Sequence, residues 1–327
     1  MLAREQTVTV SALAEPRIYD NIMQTIGNTP MVRLSRLSEQ LELDAEIIAK
    51  IEYFNPAGSV KDRPALAMID ALMQSDVFHH NTEIIEATSG NNGVACAWIC
   101  AIRKIPITIV IPEHMSIERR KLMHLYGANV ITTPKELGTK GAIDYAAQLV
   151  SERPNAVSLN QFSNQANVDT HYKTTAQEIW RDCQGKLDVF VAGIGTGGTI
   201  TGIAKALKEL SKDIKIVGVE PSACPVLTQG RSGVHKIQGL SSGHIPDILD
   251  LSLIDYVCAI DDEQAIEHAR MLARVEGLPV GISSGAAVAA CIELAQQEEM
   301  RGKRIVTLFA DTAERYFSTE LFAHCGA

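Results

Sequence analysis

Lys61 stands in Asn55-Pro56-Ala57-Gly58-Ser59-Val60-Lys61-Asp62-Arg63, between an apolar-rich run, 45–52, and a stretch of Ala, Leu, Met and Ile, 64–72. The first reads as a strand and the second as a helix. A lysine at such a junction lies where backbone N–H groups converge and the helix dipole is positive. Its amine can be held there as a nucleophile. Position alone equally fits a surface lysine opening a helix, so the rest of the chain has to decide.

Three glycine-rich junctions add chemistry. Val191-Ala192-Gly193-Ile194-Gly195-Thr196-Gly197-Gly198-Thr199 follows a strand and opens a helix. Its free N–H groups and the Thr196 and Thr199 hydroxyls suit a phosphate. It lacks the lysine of a nucleoside-triphosphate loop. Gly193, Gly195 and Gly198 also satisfy the dinucleotide pattern G-x-G-x-x-G, and Glu220 falls about where a ribose-binding acid belongs. Against a nicotinamide-dependent dehydrogenase stand the motif's place in the second half of the chain and the loop's sheer glycine density. The loop by itself leaves both open. Ala87-Thr88-Ser89-Gly90-Asn91-Asn92-Gly93 offers hydroxyls, amides and N–H groups to a carboxylate, and Gly281-Ile282-Ser283-Ser284-Gly285-Ala286 is a third junction. A capped helix start explains one Ser or Asn in each. It does not explain three such loops in one chain.

The elements that must position these loops alternate. Strands are expected at 82–86, 107–111, 129–132, 189–192, 214–219 and 304–309, with helices over 92–102, 116–126, 141–152, 199–210, 262–276 and 284–297. Such alternation implies βα units around mostly parallel sheets with helices on both faces. The fold class is therefore α/β. Residues 222–250, rich in Gly, Pro and Ser and without a period, read as a long functional loop.

The 327 residues suggest two domains. A hydrophobic share of 46% supports a sizeable core. A net charge of −9 and a pI near 5.5 oppose nucleic-acid binding. No apolar run is long enough to span a bilayer, and the first twenty residues lack the apolar segment of a secretion signal. A cytoplasmic protein with a loose N-terminal extension is expected. The seven cysteines (Cys96, Cys100, Cys183, Cys224, Cys258, Cys291 and Cys325) form no C-x-x-C pair. Buried thiols in a reducing compartment are expected, with no metal site.

Taken together, IGNTPMVRL, EYFNPAGSVKDR, ATSGNNG, PEHMSIERRKLMHLYGA, NQFSNQAN, KTTAQEIW, VAGIGTGGTITG, HKIQGL, VGISSGAAVAA and DTAERYFST resemble the O-acetylserine sulfhydrylases (cysteine synthases) of the fold-type II pyridoxal-phosphate enzymes. The likeness runs from about Ile26 to Phe322. It implies two domains, each a mostly parallel sheet flanked by helices: a smaller mobile one at 56–164 and a larger one from 1–55 and 165–327. The cofactor implied is pyridoxal 5′-phosphate, attached covalently to Lys61. Asn91 would bond its 3′-oxygen, Ser283 would meet its ring nitrogen, and Gly195, Thr196, Gly197, Gly198 and Thr199 would hold its phosphate. Thr88, Ser89, Asn92 and Gln161 would take the substrate α-carboxylate, with Gly239 near the substrate amino group. The reaction implied is β-replacement of O-acetyl-L-serine by sulfide, by a homodimer, with a serine acetyltransferase tail as a possible partner. Relatives that replace with another donor or nucleophile, and silent relatives that only bind a partner, are the alternatives. The chain departs from the family's usual T-S-G-N-T-G in carrying Asn92 in place of the second Thr, and the loop 228–234 is short.

Overall fold

The computed structural model describes residues 18–323, so most of the N-terminal extension and Cys325 lie outside the described residues. Ten strands form two sheets. β1 (Met31–Arg33), β2 (Glu46–Ile51), β7 (Val189–Gly193), β8 (Lys215–Pro221), β9 (Tyr256–Ile260) and β10 (Arg304–Phe309) make a six-stranded sheet in the order β1-β2-β10-β7-β8-β9. Only β1, on the edge, runs antiparallel. β3 (Glu83–Ala87), β4 (Ile107–Pro112), β5 (Asn129–Thr133) and β6 (Ala156–Val157) make a parallel four-stranded sheet in the order β5-β4-β3-β6.

Both faces of both sheets are covered, as parallel strands require. The period of two divides each strand between two cores. In β4, Ile107, Ile109 and Ile111 face the helices Asp62–Met73, Asn91–Arg103 and Ile117–Leu125, whereas Val110 faces the helix Gly138–Glu152. In β2, Ile47, Ala49 and Ile51 join the core under the helices Asp262–Val275 and Ile282–Ala295. Ile48 joins the opposite core, under Ala176–Asp182 and Gly198–Leu210.

The expected strands and helices are present, with ends shifted by a few residues. Gly127, at φ +84°, closes the helix Ile117–Leu125 as expected. The sequence reading did not include β1, β6 and β9, nor the helical stretch Gln165–Asp182. That stretch carries a π turn at His171–Thr175, which breaks the 3.6-residue period. Residues 222–250 hold one short helix, Val226–Gln229, and are otherwise irregular.

Candidate active site

Ligands of open α/β sheets bind beyond the carboxyl ends of the strands. Here the loops leaving β3, β7 and β10, together with Lys61, line a single cleft of about 1030 Å³ between the two sheets. Lys61 is the N-cap of the helix Asp62–Met73. Burial pushes its ammonium down to about 8, and the Asp311 carboxylate pulls the other way. Beneath it lies an internal network. Asp62 accepts from the Ala57 N–H at 2.6 Å, and burial raises its carboxyl to about 7. Arg63 clamps Glu178 at 2.7 and 2.8 Å and Glu52 at 2.7 and 2.8 Å, while Lys50 reaches Glu178 at 2.7 Å.

The loop after β7 is built as an anion cup. A Cβ on Gly195 would stand 2.3 Å from the Gly239 carbonyl oxygen, and Gly197 has φ +83°, so side chains are excluded where backbone N–H groups turn inward. The N-cap Gly197 offers no side chain to the helix Gly198–Leu210; Thr196 Oγ1 takes the Gly198 N–H at 3.4 Å, and the N–H groups beside it are left for a ligand. Thr196 is fixed by Asn167, whose Nδ2 donates to its Oγ1 at 3.1 Å. The Thr199 hydroxyl lies 3.2 Å from Nε2 of His171. That imidazole is kept neutral by burial and by the charges of Arg63 and Lys61. Gly195, Thr196, Gly197 and Thr199 line the cleft. Gly198 is packed against Asn167 behind them. Ser283 lines the cleft in the first turn of the helix Ile282–Ala295. A nucleophilic amine, an open phosphate cup and a neutral hydroxyl around one space fit pyridoxal phosphate.

The loop after β3 starts the helix Asn91–Arg103, and its side chains are deployed differently from expectation. Thr88 Oγ1 accepts from the N–H groups of Gly90 and Gly93 at 3.0 and 3.3 Å. Asn92 is 2% exposed, and its Nδ2 donates to Glu86 Oε1 at 3.3 Å. Its amide is thus turned into the protein, although the residue still forms part of the cleft wall. Glu86 also accepts from Ser158 Oγ and from the N–H groups of Leu159, Asn160 and Gln161, and its burial raises its carboxyl to about 7. Gln161 is oriented by the bond from its Nε2 to the Ala87 carbonyl, 2.9 Å. Ser89, Gln161 and Gly239 line the cleft.

Glu220, the acid of the dinucleotide pattern, is spent internally. It accepts from the Leu227 and Thr228 N–H groups at 2.8 and 3.0 Å. Asn167, Glu86, Arg119, Asp311, Arg315 and Tyr316 were assigned no role by sequence. The last four sit in PEHMSIERRK and DTAERYFST, where only their presence in a recurring segment marked them.

The model of the family described as "Pyridoxal-phosphate dependent enzyme" matches residues 22–311. Cysteine synthase B of Campylobacter jejuni is 45% identical over 307 residues, covering 94% of this chain and 100% of that protein. The chain belongs to the pyridoxal-phosphate-dependent enzymes, in their cysteine synthase branch. Among solved structures, the cysteine synthase of Entamoeba histolytica aligns with a TM-score of 0.92 at 38% identity, over 97% of this chain and 94% of that one. A hydrogen sulfide-producing enzyme of Fusobacterium nucleatum aligns at 0.88 and 41% identity, over 91% and 100%. The dehydrogenase reading is thereby set aside.

Proposed function

We propose that this enzyme replaces the acetoxy group of O-acetyl-L-serine with sulfide, releasing L-cysteine and acetate. The observation that carries the reading is the convergence of Lys61, the Gly195–Thr199 cup and the Thr88–Asn92 loop on one cleft. When bound, the cofactor draws electrons from the substrate Cα, and a neutral Ser283 hydroxyl at its ring nitrogen keeps that draw moderate, which suits loss of an activated leaving group.

The chain's own groups do the rest. N–H groups at the start of the helix Asn91–Arg103, with Ser89 and Gln161, hold the substrate carboxylate. Thr88 and Asn92 shape that loop from behind, through the bonds given above. Asn91 offers an amide N–H to the cofactor's 3′-oxygen. Lys61 Nζ removes the Cα proton and later returns one, and its lowered proton affinity suits both tasks near neutrality. Gly239 lies beside the substrate amino group. Residues 56–164 close over the cleft and keep water out.

A second reading, β-replacement with another donor or nucleophile, is favoured by the inward-turned Asn92. Amino-acid product analysis with O-acetylserine, O-phosphoserine and serine, each with sulfide, separates the two. Cysteine from O-acetylserine at the highest kcat/KM is the expected result, and its absence overturns the first reading. Lys61→Ala abolishes turnover and the visible absorbance of the attached cofactor; full activity in that variant would exclude the proposed role.

The same reading carries a cytoplasmic homodimer without nucleic-acid or membrane partners. Among the described residues no helix is long and apolar enough to cross a membrane, and no cluster of His, Cys, Asp or Glu is placed to hold a metal. It also carries a docking site for a serine acetyltransferase tail, whose terminal carboxylate would occupy the Thr88–Asn92 loop. Calorimetric titration with such a peptide should show competition with O-acetylserine.

A further inference from the structure

Arg119 projects from the helix Ile117–Leu125 across the seam between the two sheets and is 1% exposed. Its Nε donates to Asn91 Oδ1 at 3.0 Å and its Nη1 to Gln238 Oε1 at 2.6 Å. Nη2 meets Asp311 Oδ2 at 3.2 Å and the Tyr316 hydroxyl. Tyr316 in turn donates to Asp311 Oδ2 at 2.7 Å. The chain makes room for this crossing. Gly90 has φ +147°, and a Cβ there would fall 2.2 Å from Arg119 Cδ. Any other residue at Gly90 would collide with the stem of Arg119.

Asn91 is bound at both ends of its amide. Oδ1 accepts from Arg119 Nε and from Arg315 Nη1 at 2.8 Å, while Nδ2 donates to Asp311 Oδ2 at 2.6 Å. A flipped amide would set its NH₂ against two guanidinium groups and its carbonyl against a carboxylate, so one orientation is imposed. In that orientation one N–H of Nδ2 has no partner on the chain, and Asn91 lines the cleft with Lys61. Arg315 also holds the Ala57 carbonyl, in the turn that leads to Lys61.

We infer that Arg119 is a positioning residue: with Arg315 and Asp311 it locks the amide of Asn91 so that its free N–H faces the cofactor site. The inference rests on the role given to Asn91 under the proposed function. Arg119 contributes to the cleft wall, and the role assigned to it acts through Asn91 rather than on substrate or cofactor. A merely structural arginine in the seam would be equally consistent with its burial, but it would not be coupled to Asn91 in a cofactor measurement.

The test is a double-mutant cycle read by spectral titration of the cofactor-free protein with pyridoxal phosphate. Wild type, Arg119→Met, Asn91→Ala and the double variant are compared, with the unfolding midpoint of each cofactor-free protein measured alongside. Asn91→Ala should weaken cofactor affinity by about ten- to hundredfold, the range of one hydrogen bond to a charged group, and Arg119→Met by a smaller, several-fold factor, because Arg315 and Asp311 still hold the amide; both should move the absorbance maximum. The double variant should be within about threefold of Asn91→Ala, because the two act through one bond. Multiplying effects, or an unchanged titration in Arg119→Met, would overturn the inference. If Arg119→Met does not fold, Arg119→Lys takes its place in the cycle. Lys keeps the charge and loses the fork, so it should show the same loss and the same non-additivity, and wild-type titration in it would overturn the inference too. An Asn91→Ala protein that titrates like wild type removes the role of Asn91 and this inference together. The β-replacement reading is judged separately, by the product analysis of the wild-type enzyme.

Discussion

Lys61 is the proposed attachment point of the cofactor, and its environment gives it a testable titration. Burial lowers its ammonium to about 8, well below the usual lysine range, so an appreciable share of neutral amine is present near neutrality and most of it is neutral above pH 8. Covalent attachment needs that neutral form. The rate of attachment to the cofactor-free protein should therefore rise with pH up to about 8 and then level off. A rate still climbing at pH 10 would mean that the lysine is water-exposed. Glu86 makes a second prediction. It is a buried acceptor surrounded only by donors, and it joins Asn92 to the turn that presents Gln161. Glu86→Gln would place an NH₂ group against those donors, at a cost of about 1–3 kcal/mol for each one left unpaired. The expected outcome is a roughly tenfold higher KM for the amino-acid substrate with the cofactor absorbance unchanged; an unaltered KM would show that Glu86 does not shape the carboxylate loop. At this scale the sequence was legible where a motif is contiguous. Lys61, Asn91 and the Gly195–Thr199 loop each lie in a short contiguous segment, although only the resemblance of the whole chain gives them roles. Arg119 and Asp311 do not, because they meet across 192 positions and neither has a local signature. The motif carries no record of which way the Asn92 amide turns, so its bond to Glu86 is invisible in the sequence.

Among elements, the strands of the two parallel sheets were legible because β-branched runs buried on both faces are hard to mistake. β1 and β6 were not, being three and two residues long, nor was β9, an edge strand with Tyr256 and Ala259 exposed. The helical stretch 165–182 was hidden by its π turn, yet it supplies Asn167, His171 and Glu178. Glu178 ties that stretch to β2 through Lys50 and to the helix Asp62–Met73 through Arg63. The bidentate Arg63 and Lys50 hold its carboxyl down at about 2, although burial alone would raise it. A folded-state pKa below the ordinary 4.5 of a glutamate means that this contribution to stability is complete above about 4.5 and disappears as pH falls toward 2. Glu178→Gln leaves two buried cations short of a partner and should cost about 3–5 kcal/mol at pH 7. The gap between variant and wild type in thermal unfolding should narrow as the pH is lowered. A gap that is constant with pH would place the effect in packing instead.

For the whole molecule, the parallel α/β class followed from the alternation of elements and the two-domain layout from the family resemblance, but neither gave the order of strands. Nothing local says that β10 lies between β2 and β7. Yet Ile47 pairs with Ile305 on one side of β10, and Val189 pairs with Ile305 on the other. Without the last strand the six-stranded sheet is two disconnected ribbons, β1-β2 and β7-β8-β9. The four-stranded sheet, by contrast, is closed within residues 83–157. The order of strands therefore dictates a timetable on the ribosome. At about 5–20 residues per second, β2 emerges and then waits on the order of tens of seconds for its neighbour to be made. Its apolar residues must be shielded for that interval by the chain already present or by a chaperone. Ribosome-bound chains stalled after residue 260 should yield a protease-resistant fragment that contains residues 83–157, with β2 still cleavable; protection of β2 at that length would show that it finds a temporary partner before β10 exists.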